Sequence, residues 1–408
     1  MQNNNAQQLS IARVLLCGGA VVTLSMGIRH GFGLWLQPIT QEMGWTRESF
    51  ALALAVQNLS WGLIGIFTGM LADRFGATKV LIAGAILYAL GLVGMAWAPT
   101  TLMFTLTAGL LIGIAQTGTT YAVIYGVIGR QIPAEKRSWS MGVAAAAGSF
   151  GQFFMVPVEG QLIAGLGWHN ALVVCAVLVL IIIPMALALR EPNFHALKKA
   201  SAGAHQQSIA QAVAEAFKSP SFLLLTAGYF VCGFQVMFIG VHMPSYLKDF
   251  GLPPHVASYS LALIGLFNIF GTYLAGSLGQ RVPKRYLLSG IYFIRAVAIV
   301  LFLLAPLSPW SVYLFAAVMG FLWLSTVPLT NGLLAQIFGI QHLSMLSGFA
   351  FFSHQIGSFL GIWLGGYLYD TTGSYDAVWY VAIGLGVIAG LINLPVKETP
   401  VQRKFVVV

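Results

Sequence analysis

The stretch Gly69-Met-Leu-Ala-Asp73-Arg74-Phe-Gly76-Ala-Thr-Lys79 closes one long apolar run, and 207 residues further on Gly276-Ser-Leu-Gly-Gln280-Arg281-Val-Pro-Lys284-Arg285 closes another. That separation is close to half of the 408 residues, so the two stretches read as equivalent turns of a duplicated unit. The physical demand is a tight turn whose Gly lets two helices approach, with an Asp able to cap a helix and pair with Arg. Taken alone, the second copy also reads as an ordinary basic loop; the first is the specific one.

Outward from these turns the chain is apolar almost throughout. Hydrophobic residues make up 58% and charged residues 8% of it, about a third of the charged share of a soluble domain. With a mean hydropathy of +0.83, too little polar surface is available to cover a water-soluble globule. Lipid is the expected solvent, and a soluble enzyme is excluded. A helix crosses hydrocarbon in about 20 apolar residues, because lipid leaves no partner for bare backbone groups. Twelve such runs are predicted, at 11–38, 48–72, 79–98, 101–128, 138–165, 170–189, 220–247, 256–279, 285–305, 309–338, 345–369 and 375–395. The one long polar break, 190–219, divides them six and six. The predicted organisation is an all-α membrane protein with a bundle over 1–189, a linker over 190–219 and a second bundle over 220–408. In the linker, Ile209, Val213 and Phe217 recur every fourth residue, which suits a helix on the membrane surface or one bridging the halves.

Of the 20 Lys and Arg, Arg29 and Arg295 fall inside apolar runs and Arg47 and Lys248 in loops on one side; all the others fall on the opposite side. Basic residues are retained in the cytoplasm, so both termini and the linker are expected there. The net charge of +9 then faces anionic lipid and requires no nucleic acid. Cys17, Cys175 and Cys232 lie in apolar runs with wide spacings, and read as small core residues instead of disulfides or metal ligands. No phosphate-binding loop, nucleophile elbow or His-Glu-x-x-His is present, so no cofactor, metal or catalytic residue is predicted. The polar start of the chain lacks a cleavage site after a short apolar core, and the first run is expected to remain.

The first turn resembles the signature between helices two and three of the major facilitator superfamily, matching at Gly69, Leu71, Ala72, Asp73, Arg74 and Gly76. Ala77 and Thr78 stand where two basic residues are usual, and in the second copy Gln280 and Pro283 replace the acid and the second glycine. Gly27-Ile-Arg29-His30-Gly-Phe-Gly-Leu-Trp35 with Gly44-Trp45-Thr-Arg47, and Gly348-Phe-Ala-Phe-Phe-Ser-His354-Gln355-Ile-Gly357-Ser358, look like the bacterial branch of the monocarboxylate transporters, which includes oxalate:formate exchangers. The resemblance implies two bundles rocking about a midplane site in a bacterial inner membrane, with the turn of Gly69, Asp73, Arg74 and Gly76 as a conformational switch. Gly357, Gly361 and Gly365 form a small-residue stripe that fits either sliding contacts or plain helix packing.

Ionisable groups inside hydrocarbon need a partner or a water-filled cavity. Five stand out: Arg29 and His30 on the first helix, Glu159 on the fifth, Arg295 on the ninth and His354 on the eleventh. In this superfamily the first and eleventh helices line the cavity and the ninth lies mostly outside it, so the cavity leans positive and Arg295 leans structural. Arg offers a fork that fits a carboxylate, which points to a small organic anion such as lactate, pyruvate or formate, held by Arg29, His30, His354 and Gln355. Asn58, Gln116, Tyr121 and Asn331, with Tyr125, Gln152, Tyr229 and Gln235, are candidate hydrogen-bonding neighbours. Arg29 also fits a purely structural pair with Glu159. The branch often carries Asp and Arg on helix eight where this chain has Asn268 and Thr272, so His30, Glu159 or His354 must carry any coupled proton. Anion exchange stays open, as do a proton-driven drug exporter working through Glu159 and a non-transporting sensor. A monomer is expected, with a lipid bilayer, the anion and protons as its partners.

Overall fold

The structure, a computed structural model, describes residues 9–191, 208–339 and 341–401; the side chains of Ile66, Gly69, Asp73, Ala134 and Ser138 also lie outside the described set. Among the described residues, nine stretches are long and apolar enough to cross a membrane. One of them, Glu135–Ala188, is 54 residues long and breaks at Gly167, whose φ of 77° suits only glycine; it supplies two crossings. Arg47–Phe75 and Leu343–Thr372, of 29 and 30 residues, complete twelve. In order these are α1 (Ile11–Met43), α2 (Arg47–Phe75), α3 (Ala77–Ala96), α4 (Thr101–Gln131), α5 (134–166), α6 (168–188), α7 (Pro220–Asp249), α8 (Pro254–Leu278), α9 (Lys284–Leu304), α10 (Pro309–Phe338), α11 (Leu343–Thr372) and α12 (Asp376–Asn393). They form two six-helix bundles, each with its own apolar core.

The duplication read from the turns is carried by side-chain contacts. Ser25 Oγ lies 2.8 Å from Thr119 Oγ1; 207 residues later, Cys232 Sγ lies 3.2 Å from Thr326 Oγ1. Gly113 presses on the carbonyl of Gln57, and Gly320 on that of Ile264, again 207 apart. Both members of the equivalent pair α4 and α10 are interrupted, α4 at Thr120 and α10 over 323–325. The turn after α2 is made by Gly76, at φ 90°.

Of the two readings of the stripe Gly357, Gly361 and Gly365, helix packing holds: it seats the carbonyls of Phe230 and Phe234 and the ring of His242, all on α7 of its own bundle. Close approach between halves falls instead to Gly62 against Gln355, Gly366 against Glu48, and Gly33 against Gly240 and Val241. Of the tryptophans near span ends, Trp35, Trp168 and Trp379 are buried within the protein, while Trp97 and Trp310 are exposed. The linker helix Ile209–Lys218, closed by a capping box between Ser208 and Gln211, buries Ala212 and Ala216 and leaves Ile209 exposed. Phe217 reaches Phe222 of α7 and Phe349 of α11, so this helix docks on the second bundle.

The end of the bundle opposite the termini, here called distal, is pinned across the halves. Arg47 forks onto Asp249 at 2.6 and 2.7 Å and stacks on Tyr369. Gln37 donates to Asp249, the backbone N–H groups of Arg47 and Glu48 donate to Asp370, and Trp363 donates to Glu48. Arg47 also donates to the hydroxyl of Tyr375. His242 Nε2 donates to the Ile362 carbonyl, which leaves Nδ1 to accept from Tyr375, 3.2 Å away. Asp249→Asn should weaken this lock by about 1–2 kcal/mol and raise the distal-open population roughly tenfold. Spin-label distances between positions 99 and 306, on distal loops of opposite halves, are expected to gain a longer component; an unchanged distribution would show that the lock is idle.

Candidate functional site

Arg29 and His30 stand at the end of the regular α-helical part of α1, just before the tight turn Phe32–Trp35. They line a small cavity between the halves together with Gln152 of α5, Met237 of α7, Leu261 of α8 and Trp323 of α10. Its free space, about 20 Å³, admits roughly one water molecule, so a larger guest requires the halves to part. Arg29 is buried. One terminal nitrogen donates to Asn58 Oδ1 at 2.5 Å and contacts Met237 Sδ at 3.4 Å, the guanidinium lies 4.6 Å above the Trp61 ring, and Nε has no acceptor. Asn58 is oriented by donating to the Leu54 carbonyl. His30 Nδ1 lies 2.6 Å from the Met26 carbonyl; an oxygen there can only accept, so Nδ1 carries the proton and Nε2 is left for another partner.

Among the described residues no ion pair joins Arg29 to Glu159. The structural pair weighed from the sequence is absent: both oxygens of the buried Glu159 lack hydrogen-bond partners, and its carboxylate abuts Gly31. His354 belongs to the second half. Its ring packs on Tyr229 and Phe351 at 4.8 and 5.9 Å, Nδ1 lies 3.3 Å from Gln355 Oε1, and Nε2 is unpartnered. An aromatic bridge links the two clusters, because Trp61 meets Phe351 edge-on at 5.2 Å. Gln355 is buried against Gly62.

Of the other candidates, Gln116 is fully buried, Tyr121 stacks near Tyr125 at 5.8 Å, and Gln152 donates to the Leu261 carbonyl across the halves. Asn331 is half-buried on the last segment of α10 and is not among the residues lining the cavity.

Arg295 contrasts with Arg29. It is fully buried and donates to the carbonyls of Leu322 and Trp323 at 2.6 Å each, with Gln235 3.4 Å away. It therefore caps the interrupted first segment of α10. Asn268 braces the same break, accepting from the Leu324 N–H and from Thr272 and donating to Ser149.

The Major Facilitator Superfamily profile matches residues 15–361 and 225–405. The chain belongs to the major facilitator superfamily. It is 23% identical over 381 residues to an uncharacterised MFS-type transporter of Bacillus subtilis, covering 91% of this chain and 92% of that one. It is 27% identical over 332 residues to monocarboxylate transporter 13 of Rattus norvegicus, covering 80% and 75%, and 23% identical over 367 residues to a hexuronate transporter of Bacillus subtilis, covering 86% and 84%. Among solved structures it is similar, with a TM-score of 0.75 and 17% identity over 94% of this chain and 96% of the other, to a bacterial homologue of the human lysosomal transporter Spinster in an inward-facing, unoccupied conformation.

Within this superfamily member, Gly69 and Asp73 of the signature turn lie outside the described side chains, and Arg74 is exposed beside Phe75. Sequence reasoning missed Trp61, Met237, Trp323, Phe351 and the buried His242. Trp61 and Trp323 carried a legible sign, since both lie well inside their runs, away from the ends where tryptophan meets headgroups. Met237 and Phe351 carried none. Removing Arg295 strips buried carbonyls of their donors, so Arg295→Met should cost about 2–4 kcal/mol and lower the melting temperature in detergent by several degrees. Arg29→Met is expected to melt close to the parent, because Arg29 caps no helix; equal losses for both would refute the distinction.

Proposed function

We propose that this transporter carries small organic anions bearing one carboxylate, by alternating access between the two bundles. The observation that carries the reading is Arg29: a buried guanidinium on the cavity wall between the halves, held by Asn58 and Trp61, with Nε unfilled and no carboxylate paired to it among the described residues. Arg presents parallel N–H donors that match a carboxylate, and His30 is within one residue to offer Nε2. The second half contributes an apolar and aromatic wall, Met237, Trp323 and Leu261, suited to a short uncharged body. His354 and Gln355, joined to Arg29 through Trp61 and Phe351, are proposed to complete the site when the halves move. Likeness to monocarboxylate and hexuronate transporters supports a carboxylate cargo and leaves its size open.

The loop charge asymmetry supports placing the terminal end in the cytoplasm and the distal lock outside, in a bacterial inner membrane. Uptake of labelled lactate, pyruvate, formate and glucuronate into proteoliposomes tests the cargo; absence of flux and of ligand-dependent thermal protection for all of them would defeat the reading. Arg29→Gln is expected to weaken carboxylate binding at least about tenfold, the loss of a charged hydrogen bond worth roughly 1.5–3 kcal/mol, with Arg29→Lys recovering part. A drug exporter predicts the reverse: drug efflux that survives Arg29→Gln.

A further inference from the structure

Glu159 is fully buried on α5, and neither carboxylate oxygen has a hydrogen-bond partner. It rests against Gly31, where the regular helix of α1 gives way to the tight turn Phe32–Trp35. A Cβ at position 31 would overlap Glu159 Oε2, so the missing side chain is the room the carboxylate occupies. The titratable groups around it come from three elements. Tyr88 of α3 donates to the Ser25 carbonyl, Cys175 of α6 is a buried thiol, and the α1 turn carries Arg29 and His30, engaged with Asn58 and with the Met26 carbonyl. From α8, the non-titrating Ser258 faces the neighbouring Gly160. An ionised carboxylate so placed loses its hydration with no compensating donor, at a cost of several kcal/mol; the neutral acid avoids that cost.

Resting on the carboxylate cargo proposed above, we infer that Glu159 is the proton-binding site of the transport cycle. One proton adds to one carboxylate oxygen to give the neutral acid that this pocket suits, and it leaves from the same oxygen when the α1 joint at Gly31 moves and admits water. The joint couples the two events: Arg29, which meets the anion, is two residues before Gly31, and Gly33, seated on the Gly240 and Val241 backbone of α7, is two residues after it. Anion and proton then cross together with no net charge.

The test is carboxylate accumulation in proteoliposomes under an imposed pH gradient, with membrane potential varied independently. One proton per anion predicts about tenfold accumulation for one pH unit, insensitive to potential. Glu159→Gln should abolish accumulation while still exchanging labelled for unlabelled carboxylate, and Glu135→Gln, an exposed carboxylate at the start of α5, should accumulate like the parent. Infrared difference spectra of the unloaded protein should contain a protonated-carboxyl band that Glu159→Gln lacks, a readout independent of flux. Undiminished gradient-driven accumulation in Glu159→Gln, accumulation in the parent that follows potential and ignores pH, or a carboxyl band unchanged by the substitution would each overturn the inference. Failure of the parent to move any carboxylate would instead strike the cargo assignment, and the infrared band would still decide whether Glu159 holds a proton.

Discussion

Hydrocarbon supplies no hydrogen-bond partner, and every polar group in this protein's interior is governed by that. Arg295 and Arg29 are two answers to the same demand. The first finds its acceptors in backbone carbonyls released where α10 breaks, so its charge is consumed in holding the fold. The second finds one side-chain oxygen, a thioether and the face of a ring. A guanidinium so thinly satisfied at the boundary between two movable halves keeps directional donors in reserve, and that reserve is what recommends it as a ligand.

The scaffold is symmetric and the chemistry is not. Ser25 with Thr119 and Cys232 with Thr326 repeat one contact at one spacing, yet at that spacing Arg29 of α1 corresponds to the apolar Val236 of α7, and the adjacent Gln235 lies beside Arg295. The bare carboxylate of Glu159 is likewise confined to the first half. The two halves present similar walls, and only one of them carries the cavity's guanidinium.

Spans and turns were legible because run length and small-residue turns are local properties. Limits were set where local signals conflict with tertiary packing. The first run was read to 38, but the helix continues to Met43 past a tight turn and stops at Gly44, whose φ is 66°. The break in α10 had one sign, Pro328, which cannot donate to the carbonyl four residues earlier; the residues that exploit the break, Arg295 and Asn268, are distant in sequence. The glycine stripe of α11 was visible, but its target was not, since spacing reports a face and never what covers it. Charge inside the membrane located Arg29, His30, Glu159 and His354, while Trp61 and Phe351, which connect Arg29 to His354, are apolar and merge with the background.

The distal lock also bears on timing. Arg47, Tyr375 and His242 form a continuous donor chain ending on a backbone carbonyl of α11, so the clasp at the rim is fastened to the interior of the second bundle as well as to its neighbour. A carrier latched in this way has legs of unequal speed: turning toward the latched side must first unfasten several bonds together, whereas the return ends by forming them. Under the alternating access proposed above, the stroke that opens the rim carries the cost of breaking these bonds, and the stroke that closes it recovers that cost.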